Sequence, residues 1–97
     1  MNVPDNSGRI VAIRAALEAA LAPVELAVID DSHRHVGHAG ARDGRGHFTV
    51  HIVSPAFEGM NPLARHRAVY QALGDLMLTD IHALSMKAQT PAEAGRG

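Results

Sequence analysis

The chain contains no cysteine, which excludes disulfides, a zinc ribbon, a thiol nucleophile and any iron–sulfur cluster held by its own thiolates. Any metal it meets has to be held through nitrogen or oxygen. Tryptophan is absent too, and there are one tyrosine and two phenylalanines, so the core must be built from aliphatic side chains and its stability margin is modest. Positive charge is not in excess: 9 Lys and Arg stand against 10 Asp and Glu, a formal net charge of −1. A global field of the kind that drives non-specific nucleic-acid binding is therefore missing. No apolar run reaches the roughly 18 residues of a membrane span. The start, Met1-Asn2-Val3-Pro4-Asp5, lacks a basic region followed by an apolar stretch, so no signal peptide is expected and the chain reads as cytoplasmic. There is no Walker-type loop and no dinucleotide fingerprint after a strand. Asp30, Asp31, Ser32 and His33 carry the letters of a hydrolase triad, but neighbours on one strand end alternate in direction and cannot assemble nucleophile, base and orienting acid. An enzyme is not expected.

What is present fits one small folded unit. The 97 residues are 46% hydrophobic and 20% charged, an ordinary globular mix at the size of a single domain. A single domain over residues 8–94 is predicted, with flexible ends at 1–7 and 95–97. Ile10, Ile13, Leu17 and Leu21 recur at helical spacing, Ser7 can cap the helix, Arg14 and Glu18 form an i,i+4 pair, and Pro23 stops it. Residues 24–32 read as a strand, and residues 33–46, rich in glycine, histidine and arginine with no apolar period, as a long loop. In residues 47–54 Phe48, Val50 and Ile52 alternate with Thr49, His51 and Val53, the pattern of a half-buried strand. A turn through Phe57-Glu58-Gly59 leads to Asn61-Pro62, a cap followed by proline. The helix that follows is expected to reach Met77, with Leu63, His66, Val69, Tyr70, Leu73, Leu76 and Met77 on its inner stripe. A third strand over residues 81–88 and a terminal turn at Thr90-Pro91-Ala92-Glu93 complete the chain.

The order helix, strand, strand, helix, strand predicts an α+β fold. The first two strands pair antiparallel across their loop, and the helical crossover makes the third parallel to the second. The result is a three-stranded mixed sheet with both helices on one face.

Histidine is the residue in excess, with seven in the chain, and it is the commonest metal ligand. His33, His35 and His38 lie in the long loop, His47 at the start of the second strand and His82 at the start of the third. Because those two strands run parallel, all five should gather at one end of the sheet, where convergent imidazoles suit zinc, copper, iron or nickel. His66, in the expected apolar stripe, reads as a hydrogen-bonded core histidine, and His51 as outward-facing. Gly37-His38-Ala39-Gly40 matches the GXXG pattern of RNA-binding KH domains, but here it joins two strands rather than two helices. Arg65 and Arg67 fit a solvated helix face or a contact with phosphate.

The runs Asp31-Ser32-His33-Arg34-His35, Gly46-His47-Phe48-Thr49-Val50, Val53-Ser54, Phe57-Glu58-Gly59, Arg65-His66-Arg67-Ala68-Val69-Tyr70, Ile81-His82-Ala83-Leu84 and Thr90-Pro91 together resemble the BolA family. The resemblance spans nearly the whole chain, residues 9–93, and it implies a fold akin to the class II KH domain. It further implies a non-enzymatic partner of monothiol glutaredoxins that shares a [2Fe–2S] cluster with them. In such complexes the glutaredoxin supplies its cysteine and a glutathione thiolate, and the BolA-like protein supplies the histidine matching His82 and a loop ligand. His35 is the best loop match and His38 the runner-up; the isolated chain is expected to hold no cofactor. One departure is Ala94, where many relatives carry tryptophan. The family is also linked to transcriptional control, which makes a DNA-binding transcriptional regulator the alternative, although DNA binding is expected to be weak. It would use the segment 57–77 with Arg65 and Arg67, helped by Arg34, Arg42 and Arg45.

Overall fold

The computed structural model describes residues 7–32 and 46–95. Helix α1 (Ser7–Leu21) leads into strand β1 (Glu25–Asp30), and β2 (Gly46–Val53) follows. A 3-10 turn, Pro55–Phe57, then leads to α2 (Pro62–Leu73), a single-turn α3 (Leu76–Thr79) and β3 (Ile81–Gln89). The sheet order is β1-β2-β3. β1 pairs antiparallel with β2, Glu25 opposite Val53 through Asp30 opposite Phe48. β3 pairs parallel with β2 and ends with Val53 opposite Gln89. This is the mixed α+β architecture that the sequence predicts. Among the described residues no helix is long and apolar enough to cross a membrane.

The period-2 pattern of β2 decides which face carries the helices. Phe48, Val50 and Ile52 are buried against Ile13, Leu17 and Leu21 of α1 and Val69 and Leu73 of α2, whereas His51 is exposed on the opposite face as expected. Their neighbours in register, Leu26 and Val28 on β1 and Leu84, Met86 and Ala88 on β3, lie partly buried on the helix side. Phe57, fully buried, closes one end of this core. Ser54 is fully buried as well; its hydroxyl donates to the Leu21 carbonyl at 2.5 Å and accepts the Ala56 amide at 3.0 Å, tying α1 to the 3-10 turn.

Two expectations for the second helix need correction. It ends at Leu73, not Met77, because Gly74 takes a positive φ of 54° and its amide turns back to the Tyr70 carbonyl at 3.0 Å. Glycine adopts that region without the steric cost of a Cβ, and the chain restarts in the separate turn α3. The inner stripe is also differently phased. Val69 and Leu73 are buried, with Ala68, Ala72, Leu76 and Met77 packed beside them, but Leu63 is 57% exposed and His66 is exposed. At about 100° per residue, the stripe through Val69 and Leu73 passes through Arg65, not His66. His66 is therefore a surface residue whose ring lies 4.6 Å from that of Tyr70, and not a core histidine. The start of α2 follows the sequence signal: the Asn61 side chain accepts the Ala64 amide at 2.8 Å, and Pro62 occupies the first turn.

Candidate functional site

Antiparallel pairing of β1 with β2 and parallel pairing of β2 with β3 bring the end of β1 and the starts of β2 and β3 to one edge of the sheet. That edge carries His47 and His82, whose ring centroids are 5.1 Å apart with planes tilted by 49°. Their local geometry comes from an irregularity in the ladder. Gly46 lies opposite Ile81, but His47 lies opposite Ala83. His82 is thus the extra residue of a β-bulge, a device that bends a strand and re-aims a side chain. Ile81 on one side of it is buried in the core, while His82 itself is exposed.

Backbone and side-chain hydrogen bonds fix the strands around this pair. The Asp31 amide donates to the His47 carbonyl at 2.8 Å, and the His47 amide donates to the Ser32 hydroxyl at 2.9 Å. The Thr49 hydroxyl donates to the Asp31 carboxylate, and the Gly46 amide donates to the Asp80 carbonyl at 2.9 Å. The Asp80 side chain meets Arg9 of α1 at 3.0 Å. Hydrogen bonds from Arg9 and then from the Thr79 hydroxyl hold its carboxyl below the usual carboxylate range. His82 therefore projects from a rigid frame, as a binding group must if its geometry is to be preorganised.

The two histidines differ in access. His82 faces solvent, but His47 is only 7% exposed and neither of its ring nitrogens reaches the surface. Among the described residues no group of three or more His, Cys, Asp or Glu side chains converges on a point that could hold a metal ion. Among the described residues this edge offers one accessible imidazole, His82, and the chain has no thiolate, which fits a metal group that draws further ligands from outside these residues. The expectations for His33, His35, His38, Arg34, Arg42 and Arg45 lie outside the described residues.

Arg65 and Arg67 sit at the opposite end of the sheet. Arg65 is engaged on several sides: it donates to the Met60 carbonyl at 2.9 Å and the Ala88 carbonyl at 3.1 Å, and it grips the Glu93 carboxylate with two nitrogens at 2.5 and 3.1 Å. This hydrogen bonding, foremost that to Arg65, brings the Glu93 carboxyl down to about 2. Glu93 also accepts the Thr90 amide at 2.9 Å while its own amide donates to the Thr90 hydroxyl at 3.2 Å. These are the two reciprocal bonds of a capping box. The Thr-x-x-Glu spacing is the sequence signal for the capping box, whereas the bond to Arg65 joins residues 28 positions apart. Arg67 is exposed.

Comparison with known proteins places this architecture. The BolA-like protein family matches residues 17–93. The chain is 46% identical over 97 residues to SufE-like protein 1, chloroplastic/mitochondrial, of Arabidopsis thaliana, covering 95% of this chain and 26% of that protein. It is 41% identical over 81 residues to the DNA-binding transcriptional regulator BolA of Escherichia coli, covering 84% and 74%. Among solved structures, the BolA domain of SufE1 from Arabidopsis thaliana superposes with a TM-score of 0.80 at 46% identity, over 90% of this chain and 96% of that one. The chain belongs to the BolA family. It spans between about a quarter and three fifths of the length of the first curated relatives it matches.

Proposed function

We propose that this chain is a non-enzymatic, cytoplasmic binding protein that pairs with a monothiol glutaredoxin and co-ligates a [2Fe–2S] cluster shared between them. Its role is in iron–sulfur cluster trafficking or iron regulation. His82 is the ligand from β3, and His35, with His38 as its alternative, is the ligand from the segment between β1 and β2. The observation that carries the reading is the exposed imidazole of His82, set on a bulge at the sheet edge and framed by fixed backbone. A protein without cysteine can supply only part of a cluster's ligand set, and the glutaredoxin cysteine and glutathione supply the thiolates that are missing. Imidazole in place of thiolate raises a cluster's potential.

The test is co-purification with a monothiol glutaredoxin and glutathione. A coloured heterodimer is expected, with a visible circular dichroism spectrum different from that of the glutaredoxin homodimer. His82→Ala should abolish that difference, and His35→Ala should shorten cluster retention while the apo complex still forms. Wild-type spectra from both variants would refute the ligand assignment.

The name of the Escherichia coli relative favours a second reading, DNA binding through α2. Against it, the guanidinium of Arg65 is bound to Glu93, which leaves Arg67 as the exposed arginine of α2. Titration with specific and scrambled duplexes at neutral pH and physiological salt separates the two readings. Sequence-preferring submicromolar binding that survives His82→Ala and is lost in Arg67→Ala would favour DNA; weak, salt-sensitive and indiscriminate binding is expected.

A further inference from the structure

His47 stands beside the proposed ligand without the access a ligand needs. Its backbone is held on both sides, the amide by the Ser32 hydroxyl at 2.9 Å and the carbonyl by the Asp31 amide at 2.8 Å. Its ring is buried, both nitrogens are covered, and the ring lies 5.1 Å from that of His82 at a 49° tilt. That is the range of a tilted aromatic contact, for which ring centroids lie about 4.5–7 Å apart. His82, by contrast, is exposed and occupies the extra position of the bulge. An exposed histidine ordinarily samples several rotamers, and ordering it on binding costs entropy.

We propose that His47 is a positioning residue: its fixed, buried ring is the wall that holds the His82 imidazole in one orientation before any partner arrives. This inference rests on the reading of His82 as the accessible ligand and adds that His47 acts through His82 and does not itself reach the shared cluster. The structural distinction is burial. The nitrogens of His47 are covered whereas His82 is exposed, which divides the pair into support and ligand. Gly46 belongs to the same device. A Cβ there would meet the Phe48 ring at 2.5 and 2.7 Å, so the backbone that carries His47 is packed closely against the core.

The first measurement needs no glutaredoxin. In the free full chain, three-bond Hα–Hβ couplings of His82 by NMR should report one χ1 rotamer in the wild type and in His47→Phe, which keeps a ring, and averaged couplings in His47→Ala. Unchanged methyl shifts of Val50 and Ile52 show that the core is intact. In the complex, His47→Phe should keep the wild-type visible spectrum, and His47→Ala should lose the cluster about two- to tenfold faster, the size of one aromatic contact. Averaged couplings in the wild type, or wild-type couplings in a folded His47→Ala, would overturn the proposal. So would loss of the cluster spectrum in His47→Phe with His82 still in one rotamer, since His47 would then be a ligand. If His47→Ala does not fold, His47→Phe decides alone. A His82→Ala complex with the wild-type spectrum would refute His82 as the ligand, while the couplings of the free chain still decide whether His47 orients it.

Discussion

Adding a single methyl group at position 46, a buried position of β2, should destabilise the domain. A Cβ built on Gly46 lies 2.5 Å from Cε2 and 2.7 Å from Cζ of Phe48, and 3.2 Å from the Ser32 hydroxyl oxygen. Carbon atoms in contact settle at about 3.5–4.0 Å, so the ring or the strand must move by about 1 Å. Phe48 cannot yield cheaply: it is 2% exposed and packed among the residues that join the sheet to α1 and α2. Overpacking of this kind costs about 1–3 kcal/mol, which for a domain of this size lowers Tm by about 5–20 °C. Position 46 also anchors the candidate site, since its amide donates to the Asp80 carbonyl at 2.9 Å and it pairs with Ile81 immediately before the bulge. The matched control is Gly8→Ala. That glycine sits in the first turn of α1 with nothing within 4 Å of a Cβ, and alanine there should leave Tm unchanged or raise it slightly. Thermal melts followed by far-UV circular dichroism measure both. If Gly46→Ala melts with the wild type, or Gly8→Ala loses more than Gly46→Ala, the steric argument is wrong.

Two further perturbations address the other end of the molecule. Ser54→Ala leaves the buried Leu21 carbonyl and the Ala56 amide without their side-chain partner; it should cost about 1–3 kcal/mol, read as a lower urea midpoint at an unchanged slope. The Glu93 carboxyl is drawn from 4.5 to about 2, chiefly by hydrogen bonding from Arg65. Because the folded value is the lower one, its contribution is complete above the unfolded value and is lost as pH falls. The stability gap between wild type and Glu93→Gln should therefore be constant near neutrality and close between about pH 4.5 and about 2; urea titrations over that range check it, and a gap that widens in acid would show that the clamp is not the cause.

Much of this fold can be read along the chain because its signals are local. The alternation of Phe48, Val50 and Ile52 selects the buried face of β2, and Asn61-Pro62 marks the start of α2. A helical crossover between two strands makes them parallel, so the meeting of His47 with His82 follows from element order alone. Tertiary structure decided the rest. The phase of α2 was ambiguous from Leu63 to Tyr70 because apolar residues lie on two adjacent stripes, and contact with the sheet and α1 selects the one through Val69 and Leu73, leaving His66 exposed. The bulge that singles out His82 depends on how two strands come into register, and neither strand encodes that by itself. Arg65 and Glu93 stand 28 positions apart, each with an unremarkable local pattern, until packing of α2 beside the end of β3 brings the guanidinium to the carboxylate. Sequence periodicity specifies which residues share a face of one element, but contacts between elements depend on their relative placement, which packing of the whole core sets.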